Sequence, residues 1–251
     1  MTVFWLMFSR KWFLTTLLVT LAALVCARLG IWQLDRLASL RAFNAHYLAT
    51  SMLPAMKIDA APLQDLTQLE YRRAAVTGSY DFDHQVVLRN QYYEDEPGYF
   101  LLTPLMLSDG SAILVERGWI PAQGNETPLS WRQYDQPGSV TVKGILRLGT
   151  APEVGGVPEP TLAAGQTHLD AWNNVDLERI AGQLPYHLLP AFLQPNVDPA
   201  RRQPPYPYQP QITIDDGPHL GYALEWFSFA LLLFFGYPLI YLRKQARTEE
   251  K

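Results

Sequence analysis

The chain has 251 residues and a formal net charge of −4, enough for one good core plus membrane spans, and it shows no basic stripe of the kind that binds nucleic acid. Its single cysteine, Cys26, lies in an apolar stretch, which excludes an intrachain disulfide. The charge is uneven: Arg10 and Lys11 stand near one end, Arg243, Lys244 and Arg247 near the other, and the middle carries most of the acids.

Trp12 to Ala27 reads WFLTTLLVTLAALVCA. That is a little short of the roughly 20 residues that cross a bilayer core. Leu29 to Trp32 extends it past Arg28, which can snorkel to the headgroups, and Trp32 suits the interface. A cleaved signal peptide is the rival reading. No small-x-small pattern follows, and the residues before Cys26 do not make a lipoprotein signal, so the expectation is an uncleaved anchor over residues 12–34 after a cytoplasmic 1–11. Gln33 to Thr50 continues as a helix, with Leu34, Leu37, Arg41, Ala45 and Leu48 at helical spacing and no breaker before Pro54. A linker rich in Ala and Pro follows.

From Tyr71 the pattern turns to short β-rich runs: YRRAAVTGSY, QVVLRNQYY, YFLLTPLML, AILVERGWI and SVTVKGILRL. Asp109-Gly110 predicts a type I′ hairpin, and Glu96-Pro97-Gly98 a second turn. Strands at this spacing predict one antiparallel sheet or a small barrel. Thr150 to Gln166 reads as a Gly- and Pro-rich loop. A short helix is predicted from Asp176 to Leu184, capped by Asp176. HLLPAFLQP predicts an edge strand, because Pro190 cannot donate to a ladder, and RRQPPYPYQP a proline-rich extended segment. The second apolar run, residues 219–242, fits one crossing. By the positive-inside rule both chain ends, 1–11 and 243–251, are cytoplasmic, and residues 35–218 face the other side, the periplasm of a Gram-negative cell.

No P-loop, dinucleotide fingerprint, CxxC, HExxH or GxSxG is present, and His46, His84, His168, His187 and His219 show no ligand spacing. Glu94 and Glu96 read as a solvated loop. Nothing supports an enzyme. Three features stand out. Gly30-Ile-Trp32-Gln33-Leu-Asp-Arg36 leaves the first span; it is either interfacial anchoring or a polar contact to a partner. Val115-Glu-Arg117-Gly118-Trp119-Ile-Pro121 ends a strand, its arginine and aromatic serving as a contact patch or as core closure. His219 opens the second span with Tyr222 and Trp226 on its face; a neutral imidazole there is either a polar entry residue or an axial haem ligand.

Six motifs then occur in one order: GIWQLDR (30–36), EYRRAAVTGSY (70–80), PGYFLLTPLMLSDGSAILVERGWIP (97–121), VKGILR (142–147), WNNVD (172–176) and HLGYALEWF (219–227). In these the chain resembles the surfeit locus protein 1 family, the Shy-type assembly factors of cytochrome c oxidase. One departure is that Leu40, followed by Arg41, stands where the family usually has a lysine. The resemblance implies two transmembrane α-helices bracketing an extracytoplasmic α+β, mainly antiparallel β domain in the bacterial inner membrane. It implies an assembly factor for haem–copper cytochrome oxidase that aids haem a delivery to the catalytic subunit, with haem a synthase as a further partner. In that reading His219 is the haem-iron ligand, with Tyr222 and Trp226 beside it, and Trp32, Gln33 and Arg36 hold the haem propionates or the helix pair. The oxidase is expected to meet Arg117, Trp119, Arg72 and Arg73. The alternative is a structural chaperone that stabilises an oxidase intermediate without binding haem.

Overall fold

The computed structural model describes residues 10, 12–62, 65–150, 160–162 and 168–249 (241–249 as backbone). In chain order the elements are α1 (Phe13–Ser51), β1 (Met56–Ile58), β2 (Arg73–Tyr80), β3 (Val86–Tyr93), β4 (Glu96–Met106), β5 (Ala112–Pro121), α2 (Pro128–Trp131), β6 (Ser139–Arg147), β7 (Ala171–Trp172), α3 (Leu177–Ala181), β8 (Leu188–Pro195) and α4 (His219–Glu249), with single 3₁₀ turns at Leu66–Leu69, Phe82–His84 and Arg132–Tyr134. The chain forms two compact units. One is helical, running up to His46 and resuming at Thr213; the other comprises Tyr47–Ile212. Residues 35–46 and 213–218, expected with the β domain, therefore group with the helices. The reason is local: Arg41 and Asn44 bind Asp216 and Asp215 just ahead of α4.

In the helical unit α1 runs unbroken for 39 residues. At about 1.5 Å per residue it is roughly 58 Å long, nearly twice a bilayer core of about 30 Å. Its apolar half and α4 are each long and apolar enough to cross a membrane, and only 11% and 6% of the residues in their most apolar stretches are buried. Leu14, Leu18 and Leu24 on α1, and Leu232, Phe234 and Phe235 on α4, lie open. A core helix of a water-soluble protein hides such side chains, whereas a lipid solvent does not require it.

The β unit carries a barrel closed by the order β2-β6-β8-β5-β4 and back to β2, where Ser79 and Tyr80 pair with Met106 and Leu105. β1 extends β2, and β3 then β7 extend β4. The predicted antiparallel character holds for most pairs, but β1–β2, β3–β7 and β5–β8 are parallel, so the sheet is mixed. The barrel is filled by Val76, Leu105, Ile113, Val115, Leu146 and Leu193, among others. A second apolar layer, around Leu102, Leu114, Trp172, Ile180 and Phe192, covers its outer wall. Each fully buried aliphatic side chain of this kind contributes roughly 1.5–3 kcal/mol. β5 is thus covered on both faces, and its residues from Ala112 to Ile120 are all buried.

Three predictions are corrected. β8 is not an edge strand but lies between β6 and β5. Pro190 is tolerated because it is exposed within a register shift, where Ala112 faces Leu188 and Leu114 already faces Phe192, so no ladder bond asks for its missing N–H. The type I′ hairpin is at Glu94-Asp95, whose φ values are +49° and +65°, between the paired Tyr93 and Glu96, and Glu96-Pro97-Gly98 is the start of β4. Of Asp109 and Gly110 only Gly110 has positive φ, in a loop closed by Gly110 N–H donating to Leu107 O. The predicted helix after Asn174 is present, with the Asp176 carboxylate accepting from Arg179 N–H. Most of the predicted 150–166 loop lies outside the described residues.

Candidate functional site

The helix pair meets along one stripe of α1, in which Gly30, Gln33, Leu37 and Asn44 are buried at the three- and four-residue spacing of a helix face. On α4 the answering residues are His219 and Ala223, the latter 1% exposed. Gly30 allows close approach: a Cβ there would lie 2.6 Å from the Phe227 ring. A glutamine buried in such a seam is costly unless its amide is bonded. Gln33 Oε1 lies 2.8 Å from His219 Nδ1. The amide oxygen has only lone pairs, so Nδ1 carries the proton and a neutral ring keeps its lone pair on Nε2. The ring lies across Gly217, where a Cβ would come within 3.2 Å of Cδ2 and 3.5 Å of Nε2.

The residues before His219 are held as well. Arg41 Nε and Nη2 donate to Asp216 Oδ2 at 2.9 and 2.7 Å, Asn44 Nδ2 donates to Asp215 O, and Asp215 Oδ1 accepts from Gly217 N–H. The ion pair holds the Asp216 carboxyl below its ordinary range, chiefly through the Arg41 hydrogen bond. The positive charge that follows Leu40 is thereby occupied in fixing the loop that leads to His219. Near the other end of the pair, Thr16 Oγ1 and the Tyr237 hydroxyl lie 2.8 Å apart. Between these ends an apolar groove of about 840 Å³ opens between the helices, lined by residues such as Val19, Ala23, Ala230 and Phe234. The Gly30–Phe227 contact stands between it and His219.

Of the predicted helical residues, only His219 and Gln33 are brought together. Tyr222 is 47% and Trp32 50% exposed, and Arg36 is exposed one helical turn beyond Trp32. Tyr222 falls a quarter-turn round α4 from Ala223, so the seam takes the alanine and leaves the phenol outside. Trp226 is half-buried and packs edge-on against Phe229 at 6.0 Å.

In the β unit Arg117 and Trp119 are 4% and 3% exposed, so this strand end serves the core and does not present an open patch. Arg117 is the extra residue of a bulge, since Leu101 faces Gly118 and Leu102 faces Glu116. Its guanidinium lies 4.9 Å from the Tyr80 ring and 5.3 Å from Phe82, and Nη2 donates to Tyr134 O. Trp119 exchanges backbone bonds with Tyr206. Arg73 is exposed, and Arg72 donates to Pro54 O. The sequence reading gave no role to Glu116, which accepts from Gln194 Nε2 at 2.9 Å. Burial pushes its carboxyl up to about 7, against the Gln194 bond and the nearby Arg147. A charged residue inside a strand of Ile, Leu, Val and Trp is the signal that marks it. Among the described residues no three His, Cys, Asp or Glu side chains are grouped to hold a metal ion.

These features define a class: a small mixed β-barrel flanked in sequence by two helices apolar enough to cross a membrane, with a hydrogen-bonded histidine at the head of the second. The sequence profile of the SURF1 family matches residues 20–231, and the chain belongs to that family. It is similar to a SURF1-like protein of Rickettsia bellii, 28% identical over 229 residues that cover 87% of each chain. A SURF1-like protein of Mycobacterium tuberculosis is 28% identical over 253 residues, covering 96% of this chain and 87% of the relative. Surfeit locus protein 1 of Arabidopsis thaliana is 24% identical over 292 residues, covering 95% and 79%.

Proposed function

We propose that this chain is a membrane-bound assembly factor for haem–copper cytochrome oxidase, not an enzyme, and that it aids haem a delivery to the catalytic subunit. In this reading α1 and α4 cross the bacterial inner membrane, both termini are cytoplasmic and the barrel is periplasmic, in line with the basic residues at both ends. The observation that carries it is the His219–Gln33 bond, which orients the imidazole and leaves Nε2 as a Lewis base.

The residues present fit haem a by their chemistry. Haem a, when bound, supplies an iron that takes an imidazole and carboxylates that pair with arginine. His219 would ligate through Nε2, with Gln33 holding its tautomer and Gly217 leaving the ring unobstructed. Arg36, exposed and three residues on from Gln33, would pair a carboxylate; Trp32, Tyr222 and Trp226 would supply aromatic surface. Haem a synthase and the catalytic subunit are the partners this role requires. A second reading, a chaperone that never touches haem, draws on the same bond, because a Gln–His pair also locks two helices in lipid.

An optical spectrum of the detergent-purified protein, produced in cells that make haem a, separates the two. A stoichiometric haem band that is lost in His219→Ala supports delivery. A colourless wild-type protein that still captures the oxidase catalytic subunit refutes it and leaves the chaperone.

A further inference from the structure

Arg117 also borders a pocket of about 310 Å³ on the barrel, walled by Tyr80, Gln136, Lys143 and Arg201. Among the described residues its wall holds three cations, Arg117, Lys143 and Arg201, and no acid. Arg117 Nη1 is buried and has no hydrogen-bond partner among the described residues. Arg201 stands near enough that its like charge, with burial the larger cause, helps lower the Arg117 pKa. Among the described residues the carboxylate that acts on Arg117 is Asp135, whose Oδ2 is bonded to Arg132 at 3.2 Å and whose Oδ1 is buried without a hydrogen bond. Positive charge therefore remains in excess. Gathering cations in a half-closed site opposes folding unless an anion joins them.

The arrangement is built, not incidental. The segment carrying Arg201 is clamped to β5 by paired bonds between Trp119 and Tyr206, 2.8 and 2.9 Å. Tyr206 stacks on Tyr93 at 5.2 Å and, at 6.4 Å, on Trp119, and its hydroxyl donates to Arg202 O. Gly118, at φ +133°, admits this segment, since a Cβ would lie 2.4 Å from the Tyr206 carbonyl carbon. Arg201 N–H donates to Asp198 O and its Nε donates to Gln203 O, which leaves the terminal nitrogens of its fork for a ligand.

We propose that this pocket binds a compact oxyanion of the phosphate class, gripped by Arg117, Arg201 and Lys143 with Tyr80 and Gln136 as neutral donors. A carboxylate offers two oxygens, whereas a phosphate offers three and up to two charges, which better matches the donors that converge here. The source is either free phosphate or the headgroup of an acidic phospholipid such as phosphatidic acid. The site is independent of the haem reading and uses none of its residues.

The test is calorimetric titration of the full chain in uncharged detergent at low salt, first with inorganic phosphate, then with bicelles with and without phosphatidic acid. Arg201→Gln and Lys143→Gln are the variants, because neither side chain is buried. Saturable binding weakened about tenfold in each, the loss of one charge-assisted bond, is the expected result. Binding of inorganic phosphate assigns a free anion; binding only of the phosphatidic acid bicelles assigns a lipid headgroup. Absence of binding to both at millimolar ligand overturns the proposal, and so does binding that neither variant weakens. Arg117→Lys, which keeps the charge and loses the fork, should bind more weakly than wild type with the barrel intact by circular dichroism.

Discussion

Replacing Glu116 by glutamine should flatten the pH dependence of barrel stability. Glu116 is buried on β5, bonded to Gln194, and its carboxyl is raised from an ordinary 4.5 to about 7. Folding therefore favours the protonated form. The contribution is fully present below about 4.5 and is lost as pH rises through about 7. The gap between 4.5 and about 7, at about 1.4 kcal/mol per unit, amounts to about 3 kcal/mol, most of it lost between pH 5 and 8. Asp81, held low by bonds from Tyr186 and His84 that outweigh its partial burial, acts in the opposite sense and only in acid. Glu116→Gln keeps the acceptor for Gln194 and removes the ionisation. Hydrogen exchange of β5 and β8 peptides, corrected for intrinsic rates, measures the opening free energy at each pH. Wild type should lose roughly 2–3 kcal/mol from pH 5 to 8 while the variant stays level and is the more stable at pH 8. Equal slopes in the two proteins, or a wild-type barrel that tightens as pH rises, would refute the reasoning.

Gly30→Val places methyl groups against Phe227, whose ring is already within 2.6 Å of where a Cβ would sit, and should weaken helix pairing by about 1–3 kcal/mol. Cross-linking between Thr16→Cys and Tyr237→Cys by a short bifunctional maleimide, in a Cys26→Ser background, should fall accordingly; unchanged cross-linking would show that the seam gives way there. Gly118→Ala must adopt φ +133° and displace Tyr206, a cost of about 2–4 kcal/mol. Limited proteolysis within residues 196–212 should accelerate, and the phosphate-class ligand should be lost with Arg201.

Local chemistry reaches far into this structure. The apolar lengths, the continuation of α1 to Ser51, five of the barrel-region strands and the Asp176 cap are all written in period, composition and turn residues, which act between near neighbours. The pairing of His219 with Gln33 could be suspected from two motifs at the ends of two spans, but which of the nearby aromatic residues would face the seam could not. That follows from α4 turning Ala223 into the buried seam, where a small side chain lets helices come close, and setting Phe227 over Gly30.

What the sequence determined by itself is the list of elements and the solvent each requires. Tertiary structure alone decided their partners. Pro190 argued for an edge, yet a register shift freed β8 to close the barrel. Arg117 and Trp119 read as either a contact patch or core closure; a bulge turned one inward and Tyr206, from a proline-rich segment more than eighty residues on, covered the other. Arg201 gained its meaning only from that crossing. Strand order, bulges and long-range covering depend on how distant segments share one core, and no spacing within a single segment encodes that.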